Sequence, residues 1–157
     1  MAKGGAKVNV SGLDDLLLSL EKLSDTDAFK PVVYKGAGVV ADVMKQKLAG
    51  LKTTSDKAKS SAMRYCYDSD KKVLMEAMGI TPIKNDESVN AKVGFDGYYT
   101  NSRGEQRPVP LLANSVNAGT SFMYRQPFIN QTKRGAEVTA VQSMSAETQK
   151  LINKEIK

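Results

Sequence analysis

The sequence has no histidine, no tryptophan and a single cysteine, Cys66. Without histidine there can be no Ser-His-Asp or Cys-His pair, no imidazole metal ligand and no imidazole switch near neutral pH. One cysteine cannot close an intrachain disulfide or build a thiolate zinc cluster. Every apolar run falls far short of the roughly 20 residues that cross a bilayer. The opening Met1-Ala-Lys-Gly-Gly-Ala-Lys carries charge with no apolar stretch behind it. These absences lead us to expect a reduced, intracellular, soluble protein.

The 157 residues suit one domain that buries about two thirds of its unfolded surface, and the 41% hydrophobic fraction is enough for its core. Lys and Arg number 23 against 17 Asp and Glu, a formal charge of +6, which permits an anionic partner without requiring one.

Along the chain, residues 1–10 are expected to be flexible and 11–157 to form a single domain. Ser11 stands as an N-cap, and Leu13, Leu16, Leu17, Leu20 and Leu23 follow at helical spacing. A second helix is predicted from about Asp27 or Pro31 to Leu48, with proline tolerated near its start and Gly50 as its stop. Val33, Ala37, Val40, Met44 and Leu48 form its stripe. Glycines inside it cost about 1 kcal/mol each relative to alanine, so close packing is their expected use. The polar, basic run from Lys52 to Ser61 predicts a mobile loop over 50–65. A short amphipathic segment over Val73–Met78 stops at Gly79.

Strands are predicted either side of Asn85–Ser88, because Val89-Asn-Ala-Lys-Val-Gly-Phe alternates at period two; Pro82 assigns its strand to an edge. Asp96 to Pro110, rich in Gly, Asn, Arg and Pro, reads as a loop or a bend between strands, with Gly97 in a turn. A short helix over Pro110–Asn117 and a long one from about Pro127 or Phe128 to Ile156 complete the order. Gly135 marks a bend or close crossing in the long helix. The fold class is α+β, a small antiparallel sheet packed with two N-terminal helices and a long C-terminal helix.

Few residues invite chemistry. Asp14 with Asp15, and Asp68 with Asp70, have the composition of acid–base pairs, but their positions near helix starts read as caps. Cys66 lies near Arg64, which favours a thiolate, yet no histidine is present to serve as base. Gly94, Gly97 and Gly104 are irregularly spaced and make no phosphate loop. Ser55, Ser60 and Ser61 accompany Lys57 and Lys59, with nothing to depress a lysine pKa. No catalytic residue, cofactor or metal is expected. The densest charge is Lys45, Lys47, Lys52, Lys57, Lys59 and Arg64, joined by Arg103 and Arg107 and accompanied by Tyr65, Tyr98 and Tyr99. It reads either as a solvated face or as a contact for an anionic partner such as a DNA backbone.

Val93-Gly-Phe-Asp-Gly-Tyr, Leu112-Ala-Asn-Ser-Val-Asn-Ala-Gly-Thr-Ser and Gln126-Pro-Phe-Ile, preceded by Gly12-Leu-Asp-Asp-Leu, occur in an order that resembles the neck or tail-completion (head-tail joining) proteins of tailed bacteriophages. The likeness extends along most of the chain. It departs at Asn117 and Ala118, where many relatives carry a glutamate before Gly-Thr, and in the basic loop, which lacks a Thr-Gly-x-Leu pattern. The resemblance implies a structural virion protein and no enzyme, made in the host cytoplasm and resident in the tail or neck. It implies a homo-oligomeric ring of six or twelve copies that contacts connector, tail terminator or tail tube proteins, with no membrane partner.

On that reading, Val33, Val40, Met44, Phe95, Phe128, Val141 and Met144 serve the core or the contact between subunits. Lys52, Lys57, Lys59, Arg64, Arg103 and Arg107 face the lumen and passing DNA, and Gly119 permits a tight turn. The alternatives are a related tail terminator or tube component, and a basic DNA-binding accessory protein.

Overall fold

The computed structural model describes residues 18, 21, 26–58, 63–81, 84–85, 89–101 and 103–155. The predicted first helix lies outside them except for Leu18 and Glu21, both helical. Lys59 and Pro82 also lie outside the described residues.

A 3-10 turn, Thr26–Phe29, leads into helix α1, Lys30–Ala49. Pro31 sits in the first turn, where its missing N–H is no loss, and the Gly50 N–H closes the end on the Gln46 carbonyl at 3.1 Å. Lys71 Nζ also reaches that end, donating to the carbonyls of Ala49 at 2.7 Å and Leu51 at 3.2 Å, which places a cation at a helix C-terminus.

Strand β1, Thr53–Thr54, runs parallel to β2, Cys66–Tyr67. Helix α2, Asp68–Ala77, follows, and Asp70 Oδ2 accepts the Tyr67 N–H at 3.1 Å, the capping role expected of it. Strands β3 (Met78–Ile80), β4 (Lys84–Asn85), β5 (Val89–Asn90) and β6 (Val93–Phe95) form a nested arm in which β3 pairs with β6 and β4 with β5, both antiparallel. This is the pair of strands that the period-two pattern predicted.

The stretch from Asp96 to Pro110, predicted as a loop or a bend between strands, forms a hairpin of its own. Strand β7, Tyr98–Thr100, pairs antiparallel with β8, Gln106–Pro108. Asn101 organises its turn: Oδ1 accepts the N–H groups of Arg103 at 2.9 Å and Glu105 at 3.0 Å. Gly97, at φ +84°, makes the bend from β6 into β7. Helix α3 spans Val109–Ala118 and helix α4 Phe128–Glu155. The chain is therefore α+β, and among the described residues its strands are divided among four two-stranded ladders.

Among the described residues, helices α1 and α4 form the most extensive contact between elements. Small residues set their distance, with Gly36, Ala37 and Ala41 on α1 and Ala136 and Ala140 on α4 all buried. The buried stripe of α1 consequently centres on Val32, Gly36, Ala41, Met44 and Leu48, and the predicted Val33 and Val40 are only half-buried. At the end of α1 the core widens around Leu48, Leu74, Leu112, Val116 and Phe128.

A Cβ built on Gly36 falls 2.5 Å from Met144 Sδ, whereas one on Gly38 meets nothing within 4 Å. Gly38→Ala is therefore expected to raise stability by about 1 kcal/mol through helix propensity. Gly36→Ala must displace Met144, and should fall below Gly38→Ala by about 1–3 kcal/mol. Chemical denaturation of the two variants tests this, and equal midpoints would remove close packing as the reason for Gly36. At Gly135 no bend is needed, since α4 is continuous and a Cβ there stands 3.6 Å from Val43 Cγ1, an ordinary contact.

Candidate functional site

The segment 63–67 contributes side chains to two recesses that gather much of the cationic and aromatic surface. The loop predicted to be mobile over 50–65 is anchored at both ends by the β1–β2 pairing, and residues 59–62 lie outside the described residues. Gln126 clamps it further: its Oε1 accepts the Lys52 N–H at 2.8 Å, and its Nε2 donates to the Lys52 carbonyl at 3.0 Å. A side-chain amide thus takes the place of a neighbouring strand.

The same amide reaches Cys66 Sγ at 3.7 Å, and that thiol lies 3.6 Å from the Lys52 carbonyl. Burial, with the Asp70 charge adding to it, pushes the Cys66 thiol up to about 11, so it stays protonated at neutral pH. Cys66 is a buried core residue. The Ser55–Lys57 contact joins the Lys57 backbone N–H to Ser55 Oγ at 3.4 Å and involves no ammonium.

The first recess, of about 280 Å³, is lined by Arg64, Tyr67, Asp70, Tyr99, Arg107 and Leu111, with hydroxyls from both helices and the turn after α3. Arg64, predicted as a loop cation, is half-buried and held on both backbone sides. Its N–H donates to the Phe122 carbonyl at 3.0 Å, and its carbonyl accepts the Tyr124 N–H at 2.8 Å. Its guanidinium carbon lies 4.7 Å from the centroid of the Tyr67 ring, a cation–π contact.

Arg107 is turned toward Glu105, donating to Oε2 from Nη2 at 2.8 Å and from Nε at 3.3 Å. Those bonds, with one from Asn101, hold the Glu105 carboxyl below its ordinary value. Burial pushes Asp70 above its ordinary value despite the Tyr67 N–H bond. The Tyr99 phenol is likewise raised, first by burial and then by the Asp70 charge.

The second recess, of about 290 Å³, is lined by Lys47, Lys52, Tyr65, Arg125, Gln126 and Gln131. Lys52 Nζ sits 5.7 Å from the Tyr65 ring centroid, and Tyr65 packs on Tyr124 at 5.1 Å. Of the predicted DNA-facing residues, the structure brings Arg64 and Arg107 to the first recess and Lys52 to the second. Lys57 and Arg103 are exposed and line neither, and Lys59 is outside the described residues. Arg125 and Tyr124 were missed, because a lone Tyr-Arg pair before Gln126 carries no periodic signal.

Of the residues predicted for core or interface, Met44 and Phe128 are buried, while Val33, Val40, Phe95 and Met144 are half-buried. Val141 is 61% exposed and is no part of the core. Gly119 has φ +79° and makes the predicted turn. Asn117, where the resemblance expects a glutamate nearby, accepts the Ile129 N–H on Oδ1 at 3.0 Å and so serves the first turn of α4.

Among the described residues no three His, Cys, Asp or Glu side chains gather as a metal site, and no helix is long and apolar enough to cross a membrane. Comparisons with protein-family models, curated proteins and solved structures return no match.

Proposed function

We propose that this protein is a structural component of the head-tail junction of a tailed-phage or phage-tail-like particle, assembling with itself as a ring and working without turnover. The observation that carries the reading is uncovered apolar surface on two unlike parts of the chain. On the outer face of α4, Val138 and Val141 stand one turn apart, 66% and 61% exposed. Elsewhere Tyr98 of β7, Leu111 of α3 and Phe122 in the turn after α3 are also exposed. A ring needs two different surfaces that meet head to tail, and the rotation between them sets its closure.

The residues that carry the resemblance also have architectural tasks, which fits a scaffold. Gln126 clamps Lys52, Phe128 fills the core, and Asn117 serves the start of α4.

Light scattering coupled to size exclusion, with negative-stain images of each peak, tests the reading in the presence and absence of connector or tail partners. We expect a species near six or twelve times the 17.0 kDa chain, with ring-shaped images. Val138→Glu with Val141→Glu should leave the melting temperature nearly unchanged and abolish that species. A wild-type chain that stays monomeric with every partner would overturn the ring. The second recess, with Lys47, Lys52 and Arg125, favours the alternative of a DNA-binding accessory protein, whose mark is salt-sensitive duplex binding by the monomer.

A further inference from the structure

Among the described residues, Arg64 Nε is the one buried side-chain donor or acceptor left without a hydrogen-bond partner. Buried polar groups are nearly always paired, so this guanidinium stands out from the other polar side chains described. No carboxylate among the described residues forms an ion pair with Arg64. Asp70 shares the recess and its charge acts on Arg64, although no hydrogen bond or ion pair joins the two; its Oδ2 accepts the Tyr67 N–H. The guanidinium thus lies over the Tyr67 ring, its residue is fixed at the backbone by residues 122 and 124, and its Nε has no partner.

We propose that this recess is a docking site for an acidic segment of a partner protein. An Asp or Glu carboxylate enters to meet Arg64, and apolar neighbours on the same segment cover Leu111 and Phe122. Leu111 lines the recess and is 50% exposed, and Phe122, 64% exposed, supplies the carbonyl that holds the Arg64 N–H. Planar Arg–carboxylate recognition surrounded by apolar and aromatic side chains is the usual make-up of a protein interface centre.

A nucleic-acid backbone fits less well. It needs a continuous run of cations, whereas here part of the Arg107 charge is answered by Glu105 and the exposed neighbours Leu111 and Phe122 are apolar. The site goes beyond the ring reading and stands whether or not rings form, because it is tested on the single chain.

The test follows the Nε–Hε resonance of Arg64 in the full-length 15N-labelled protein, assigned by comparison with Arg64→Lys. The probes are a blocked Leu-Asp-Leu-Leu peptide, its Asn-containing counterpart, inorganic phosphate and a short DNA duplex. The Asp peptide should move the resonance saturably, and the Asn peptide should bind about tenfold more weakly, as loss of a charge-assisted pair implies.

Leu111→Glu supplies an internal carboxylate at an exposed position in the first turn of α3, where an acid suits the helix, and should abolish peptide binding in a folded protein. Retained binding in that variant, or no saturable shift with the Asp peptide, overturns the proposal. Equal or stronger response to phosphate or duplex also overturns it and reassigns the recess to a phosphate ligand.

Discussion

Phe128→Ala is expected to lower the stability of the fold by about 3–5 kcal/mol, the range for truncating a fully buried aromatic side chain. Phe128 is 1% exposed and sits where α1, α3 and α4 converge, in the cluster that holds Met44, Leu48 and Val116. Its ring meets Phe95 edge-on, with centroids 6.0 Å apart and planes at 81°. It is also the first residue of α4, so the cavity left behind opens at a helix start that is further tied by Asn117. Small domains have only about 5–15 kcal/mol in total, so the variant should lose a large share of its folded population on mild heating. Urea denaturation with a midpoint shift equivalent to less than about 1 kcal/mol would show that this cluster does not organise the core.

Gly119→Val is expected to destabilise by about 3 kcal/mol or more, for two reasons that add. Gly119 has φ +79° and ψ 169°, a region in which a side chain costs about 1–3 kcal/mol. A Cβ there would lie 3.0 Å from Arg125 N and 3.1 Å from Arg125 Cα, backbone atoms that cannot rotate aside. Relieving that contact moves the chain at 125–126, and with it the Gln126 amide that holds both backbone groups of Lys52. The harm arises at Cβ, so Gly119→Ala should approach Gly119→Val in cost. A thermal melt in which Gly119→Ala matches the parent would sink the turn argument.

The two recesses divide the surface cations differently from their order in the sequence. Arg64 and Lys52 lie in one polar run, yet Arg64 faces the hairpin β7–β8 and Lys52 faces Arg125 and Gln126. The ring reading and the acidic-segment reading therefore make separate demands. A carboxylate introduced at Leu111 beside the first recess tests the docking of an acidic segment, whereas glutamates at Val138 and Val141 on the outer face of α4 test self-assembly.

Local chemistry was sufficient to determine three helices and one arm of strands, whereas α2, expected only over Val73–Met78 with Gly79 as its stop, starts at Asp68 and leaves Gly79 inside β3. Pro31 near a start, Gly50 at a stop and apolar residues at helical spacing place α1, α3 and α4 to within a residue or two, because these signals act over a single turn. Alternation over Val89–Phe95 likewise announces the nested arm.

What depends on distant partners was decided only by the tertiary structure. The hairpin β7–β8 was hidden because its three-residue strands are too short for periodicity to outweigh the Gly, Asn and Arg around them. The buried face of α1 turned away from Val33 and Val40, because approach to α4 selects the smallest residues over the most apolar ones. Arg64 read as a mobile cation from its polar surroundings, and became a fixed, half-buried one because residues 122 and 124, nearly sixty positions away, pair with its backbone. Spacing along a chain reports on one turn or one strand; which surfaces meet, and which donors are left unanswered, is set by packing across the whole fold.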